Sequence, residues 1–120
     1  MQYRRARING GAYFFTLVTD KRRKILCEPE NVEFLRAAFL YVMERHPFVV
    51  DAAVILPDHL HVIWTLPDGD RDFSKRWRLF KSHFTRHCDT RYKETPSLSR
   101  QNKKEQAVWQ RRFWEHMIRD

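Results

Sequence analysis

The chain has 120 residues, about two fifths apolar and a third charged, which fits one globular domain with a modest core. It has no run of about 18 apolar residues that would span a membrane, and no apolar signal segment follows its basic start, MQYRRARING. Lys and Arg total 23 against 15 acids, a net charge of +8, which favours polyanionic partners: nucleic acid or an anionic membrane surface.

Residues 1–9 carry Arg4, Arg5 and Arg7 ahead of Gly10 and Gly11, the pattern of a basic arm followed by a turn. Residues 12–19, AYFFTLVT, are β-branched, aromatic and almost continuously apolar, so they are expected to form a strand buried on both faces or nearly so. The charged run DKRRK ends it. Residues 30–46 place Val32, Leu35, Phe39 and Val42 on one helical face, with Asn31 as the expected cap and Pro47 as the stop. FVVDAAVIL, 48–56, is a second predicted strand and HLHVIWTL, 59–66, a third. Pro57 and Asp58 between them suit the centre of a tight hairpin turn. A second helix is predicted over 73–87, with an apolar stripe of Phe73, Trp77, Phe80 and Phe84. Residues 88–106 are polar and turn-rich and predict a long exposed loop with room for one helical turn. AVWQRRFWEHMI, 107–118, suits a last strand. The two cysteines, Cys27 and Cys88, lie far apart without motif spacing, so no disulfide framework is expected and a cytoplasmic, reduced protein is the default.

The order strand, helix, strand, strand, helix, strand predicts an α+β, ferredoxin-like domain: an antiparallel sheet with both helices on one face and the other face open to ligands. In the third strand the even positions Leu60, Val62, Trp64 and Leu66 are all large and apolar and must face the core. His59 and His61 therefore point to the open face. Their Cβ atoms would lie about 6–7 Å apart, close enough for both imidazoles to reach one ion. The spacing alone is weak, and two half-exposed sheet histidines explain it as well. Position strengthens the metal reading: the pair opens a strand just after a tight turn, on the uncovered face of a basic chain.

Other residues invite a functional and a plain explanation side by side. Lys75, Arg76, Arg78, Lys81 and Arg86 would track a phosphate backbone or simply form a solvated helix face. The arm residues Arg4, Arg5 and Arg7 would contact DNA or form a loose tail. Trp109, Phe113 and Trp114 would stack bases, although packing is the commoner fate of strand aromatics. His83 and His87 have the i, i+4 spacing of helical zinc ligands, with Cys88 following, but no fourth ligand is placed nearby. His116 would approach the metal pair from the last strand or be an ordinary surface histidine. Asp58 is placed to orient an imidazole, and its turn position explains it equally.

The stretch AVILPDHLHVIWTLP resembles the histidine–hydrophobic–histidine signature of the single-tyrosine HUH transposases. RRARINGGAYFFTLVTDKRR, HPFVVDAAVILPDHLH, GDRDFSKRWRLFKSHFTR and VWQRRFWEHMIRD resemble, in that order, blocks of one subgroup, the REP-associated tyrosine transposases. The similarity spans nearly the whole chain except the 88–106 loop, and it implies one HUH transposase-like domain over residues 1–120 with a ferredoxin-like fold. It also implies metal binding by His59 and His61, with Mg2+ or Mn2+ as the divalent ion. The implied substrate is single-stranded or hairpin DNA at palindromic repeats, and the implied reaction is tyrosine attack on the scissile phosphate, giving a 5′-phosphotyrosine and a free 3′-OH. Related transposases include dimers, and the residues leave monomer and homodimer open. In the family the nucleophilic tyrosine and a further metal ligand lie on a helix beyond the block that ends here at Asp120. The expectation is therefore a domain lacking its catalytic helix. Tyr3, Tyr13 and Tyr41 do not match the family position. Tyr92, in the polar loop, is the one free candidate, without the family motif around it. Two alternatives stand beside this: a non-catalytic nucleic-acid-binding module on the same fold, though without an RNP1 pattern, and a histidine–metal nuclease that uses water.

Overall fold

The computed structural model of the chain describes residues 11–93 and 108–118. The basic arm with Arg4, Arg5 and Arg7, and most of the expected 88–106 loop, lie outside the described residues. In chain order the elements are β1 (Ala12–Val18), a 3-10 turn (Asp20–Arg22), α1 (Pro29–Arg45), β2 (Val49–Ile55), β3 (His59–Thr65), α2 (Phe73–His87), a second 3-10 turn (Thr90–Tyr92) and β4 (Trp114–Met117). The sheet order is β2-β3-β1-β4 and every pairing is antiparallel, the ferredoxin-like arrangement expected from the sequence. Among the described residues no helix is long and apolar enough to cross a membrane.

The even face of β3 is the core face: Leu60, Val62 and Trp64 are all buried. Its partner β1 is nearly buried on both faces, as expected. Tyr13, Phe15 and Leu17 turn inward and Ala12 and Val18 are buried on the other side, where only Phe14, 36% exposed, and the half-buried Thr16 reach the open face.

Both helices supply the opposing layer. Trp64 of β3 stacks on Trp77 of α2 with centroids 4.0 Å apart and planes within 14°. Phe39 of α1 packs against both rings and against Phe80. Burying a ring of this size contributes roughly 2–3 kcal/mol, and this aromatic stack is where the helices meet the sheet.

Helix α1 begins one residue before the expected range, at Pro29, whose fixed φ and missing N–H suit a first helical position. Asn31 is consequently not the cap. It lies inside the first turn, fully buried, and its Nδ2 donates to the Ile25 carbonyl at 2.7 Å, tying down the approach to the helix. Helix α2 has the expected bounds and is capped by Asp72, which accepts from the Lys75 amide at 3.0 Å.

The last segment is shorter as a strand than expected. Trp109 forms a bridge opposite Thr19, the chain bends at 111, and β4 resumes beside β1 only at Trp114. The interruption has a packing cause: Trp109 turns into the core against Phe80 and Phe84, and Phe113 packs against Phe15, Phe73 and Trp77. Both cysteines are free, Cys27 exposed and Cys88 buried.

Candidate metal and nucleic-acid site

The hairpin of β2 and β3 turns on Pro57 and Asp58, with the Leu56 amide donating to the His59 carbonyl at 2.8 Å. This short turn places His59 and His61 at the tip of β3, both half-buried on the face away from the helices. Their ring centroids lie 4.8 Å apart with planes at 78°. Two imidazoles that each hold one ion at about 2.1 Å, roughly at a right angle, have centroids about 4.5–5 Å apart, so the observed spacing suits shared coordination.

The outer partners of the two rings decide which nitrogens remain. His59 Nδ1 bonds Asp58 Oδ1 at 2.7 Å, and His61 Nδ1 bonds Thr16 Oγ1 at 2.8 Å. An ionised carboxylate only accepts, so His59 carries its proton on Nδ1 and keeps a bare Nε2. The Thr16 hydroxyl can donate or accept; with His61 Nδ1 as the donor, Nε2 is bare there too. Phe14 stacks on the His61 ring at 5.3 Å and limits its rotation. Fixing one imidazole nitrogen by a carboxylate or hydroxyl while the other faces a ligand is the usual preparation of a metal-binding histidine.

Asp58 is itself held. Arg22 Nε donates to its Oδ2 at 3.1 Å, and the hydrogen bond from His59, with the Arg22 charge behind it, lowers the carboxyl below its ordinary range. Arg22 reaches this position from a contorted loop. Lys21 and Arg22 have φ of 58° and 53°, and among the described residues they are the only non-glycines with positive φ. Each such residue costs on the order of 1–2 kcal/mol. Hydrogen bonds around the hairpin turn compensate: the Thr19 amide donates to the Asp58 carbonyl at 3.0 Å, its hydroxyl donates to the Arg23 carbonyl at 2.8 Å, and the Leu26 amide donates to the Pro57 carbonyl at 3.0 Å. Backbone strain is thus concentrated beside the histidine pair.

Among the described residues no three or more His, Cys, Asp or Glu side chains gather in a way that would hold a metal. The chain supplies two imidazoles, and the rest of a coordination shell has to come from water, phosphate oxygens or other residues. His116 sits on the same open face, opposite Phe14 and one row along from His61.

The cations predicted for DNA divide into distinct groups. Arg76 is corrected: it is 2% exposed, not part of a solvated face. Its guanidinium donates to both Asp70 oxygens, at 3.1 and 2.9 Å, and to the carbonyls of His46, Pro47 and Asp72. It staples the end of α1 to the start of α2 and has no donor to spare for phosphate. Lys81 is half-buried, and its Nζ donates to the carbonyls of Gln110 and Arg111. Arg78 and Arg86 are exposed, Lys75 is partly so, and Arg86 leans on Ser82 at 2.7 Å.

Tyr92 is not free either. It packs against the core, its hydroxyl meets Arg91 at 2.7 Å, and Arg91 pairs with Glu30 of α1. Tyr13 is buried, and Tyr41 lies under the Arg45 guanidinium at 3.8 Å. Thr16 and Arg22 are not distinguished by sequence alone; their signals are the one threonine within the apolar strand β1 and the DKRRK run that ends it.

The profile of the family described as "Transposase IS200 like" matches residues 8–118. A REP-associated tyrosine transposase of Escherichia coli (strain K12) is 42% identical over 119 residues, 99% of this chain and 62% of the relative. A second relative, from Haemophilus influenzae (strain ATCC 51907 / DSM 11121 / KW20 / Rd), is 41% identical over 118 residues, 98% of this chain and 66% of its own length. The chain therefore spans less than two thirds of these curated relatives. A solved REP-associated tyrosine transposase bound to a REP hairpin superposes with a TM-score of 0.70 at 39% identity, covering 100% of this chain and 63% of the other. A crystal structure from Deinococcus radiodurans gives 0.64 at 14% identity, over 91% of this chain and 79% of the other, which speaks for the fold alone. The chain belongs to the IS200-like transposase family and is similar over nearly its whole length to the REP-associated tyrosine transposases within it.

Proposed function

We propose that residues 1–120 provide the hairpin-DNA-binding and metal-binding part of a transposase that cuts and rejoins single-stranded DNA at palindromic repeats, working in the cytoplasm. The observation that carries this is the His59–His61 pair, with each Nδ1 engaged and each Nε2 left for a ligand. The relative solved with a REP hairpin supports the choice of DNA, and the net charge of +8 suits it.

In the reaction proposed for the whole protein, a tyrosine oxygen bonds to the scissile phosphorus as the bond to the 3′ oxygen breaks. The tyrosine proton is lost and a 3′-OH leaves. The phosphodiester is conserved as a phosphotyrosine, so rejoining needs no ATP. His59 and His61 would hold a divalent ion, Mn2+ or Mg2+, which when bound offsets the charge on the phosphate oxygens. Asp58 would fix the tautomer of His59, Asp58 and Thr16 together would set the direction of the two rings, and Arg22 holds the Asp58 carboxylate in place. None of the four tyrosines of this sequence is assigned as the nucleophile. Tyr92 in particular is held by Arg91 and the core.

The test uses labelled hairpin DNA with an unpaired tail. If about three to five phosphates are neutralised, log affinity falls with log salt at a slope of roughly −2 to −3.5. Replacing Lys75 and Arg78 with alanine flattens that slope. With Mn2+ present, no covalent adduct appears on a denaturing gel. A slope near zero would refute charge-driven DNA binding. An adduct lost on Tyr92→Phe would make Tyr92 the nucleophile, and DNA cut without any adduct would point to water.

A further inference from the structure

The sequence offered Trp109, Phe113 and Trp114 together as aromatics of the last strand, and the structure separates them. Trp109 is 4% exposed and Phe113 packs on the core, whereas Trp114 is 74% exposed. The other tryptophans, Trp64 and Trp77, are fully buried. One large ring out of four is thus presented to solvent, and its place in the sheet gives it a neighbour of consequence. Thr16 of β1 pairs with Trp114 on one side and with His61 on the other. Directly paired residues of an antiparallel sheet share a face. Trp114, Thr16, His61 and Val54 therefore form one cross-strand row on the open face. Trp114 stands two strand spacings from His61, about 10 Å. Beside it runs a second row, His116, Phe14 and Ile63, in which Phe14 is also exposed.

We propose that Trp114, with Phe14 beside it, is a stacking platform that seats an unpaired base of the DNA strand whose phosphate lies at the histidine pair. This rests on the function proposed above and adds a subsite to it. The occupant follows from the surroundings. A flat aromatic face suits any nucleobase, because every base has a π-face. The platform is continuous with the His61 row, so a strand crossing the sheet passes from an imidazole pair suited to phosphate to a ring suited to its base. Arg112, exposed just before β4, adds to the overall charge of +8 that draws in a polyanion. A blunt duplex stem has no free base to offer, so the platform distinguishes a single-stranded tail from a stem.

The experiment compares a hairpin carrying an unpaired tail with the same hairpin made blunt, using the whole 120-residue chain. Trp114→Ala should weaken binding to the tailed hairpin about 5- to 100-fold. It should leave the blunt hairpin unaffected, and Trp114→Tyr should restore most of the loss. Abasic substitution along the tail should reveal one position where the wild type loses as much, and Trp114→Ala should lose nothing more there. In the wild type, adding the tailed hairpin should protect the accessible fraction of tryptophan fluorescence from acrylamide, and the blunt one should not; this readout needs no variant. Equal binding of the tailed hairpin by wild type and Trp114→Ala overturns the inference, as does an equal loss on both DNAs. Concentration-dependent self-association that Trp114→Ala abolishes, with tail binding unchanged, would assign the ring to a second copy of the chain and likewise overturn it. A wild type that binds neither DNA overturns the function proposal together with this one. A wild type that binds both, with no advantage for the tail, overturns this one alone.

Discussion

The helix-covered side and the open face of the sheet use the same residue types for opposite ends. Each has a histidine pair at a spacing that sequence alone would offer to a metal. On α2, His83 and His87 stack with centroids 4.1 Å apart and planes at 23°, and Tyr41 lies 4.4 Å from His83. Near-parallel rings direct their in-plane lone pairs side by side, so they do not converge on one ion. His87 Nδ1 is taken by the His83 carbonyl at 2.8 Å, and burial, with the His87 charge as a further cause, lowers the His83 pKa. On the open face, His59 and His61 stand at 78°, with their partners on Nδ1 alone. Residue type and spacing leave the two pairs alike, and ring orientation and the partners of each nitrogen separate them.

Charge shows the same division, and the largest expected effect lies there. Arg76 on the covered side is structural. Arg76→Ala should cost on the order of 3 kcal/mol of stability, because it frees two interhelical carbonyls and leaves Asp70 without its partner. Thermal or denaturant unfolding measures this directly. The Arg76 hydrogen bonds, helped by the Asp72 amide, hold the Asp70 carboxyl at about 2, below its ordinary 3.8. A depressed folded-state pKa means that the contribution is full above the unfolded value and fades as pH falls through the folded one. Stability should drop between about pH 4 and 2 in the wild type, and this component of the drop should be absent in Asp70→Asn.

On the open face the corresponding change should affect function and spare the fold. Asp58→Asn removes the carboxylate that fixes His59, and Mn2+ affinity should fall about 10- to 100-fold. Unfolding should shift far less than for Arg76→Ala. Equal unfolding penalties for the two variants would collapse the distinction between the faces.

Much of this division was legible in the sequence. Strict alternation in β3 assigned His59 and His61 to the open face, because Leu60, Val62 and Trp64 left no other choice of core side. The order of elements gave the sheet topology. What stayed hidden depended on contacts between residues distant in sequence. Arg76 looked like its exposed neighbours because the carbonyls it binds, at 46 and 47, come from another helix end. Thr16 is 45 positions from His61 and meets it only through the pairing of β1 with β3. Asn31 has good cap chemistry, yet Pro29 had already set the start of the helix.

We propose that the open-face pair, and not the helical pair, holds the metal. Titrating Mn2+ into the protein while following the six histidine ring signals by NMR tests it most directly. Paramagnetic broadening should strike His59 and His61 first, should vanish in the His59→Ala, His61→Ala double variant, and should persist in His83→Ala, His87→Ala. Broadening spread evenly over all six histidines, or unchanged by loss of His59 and His61, would contradict the account.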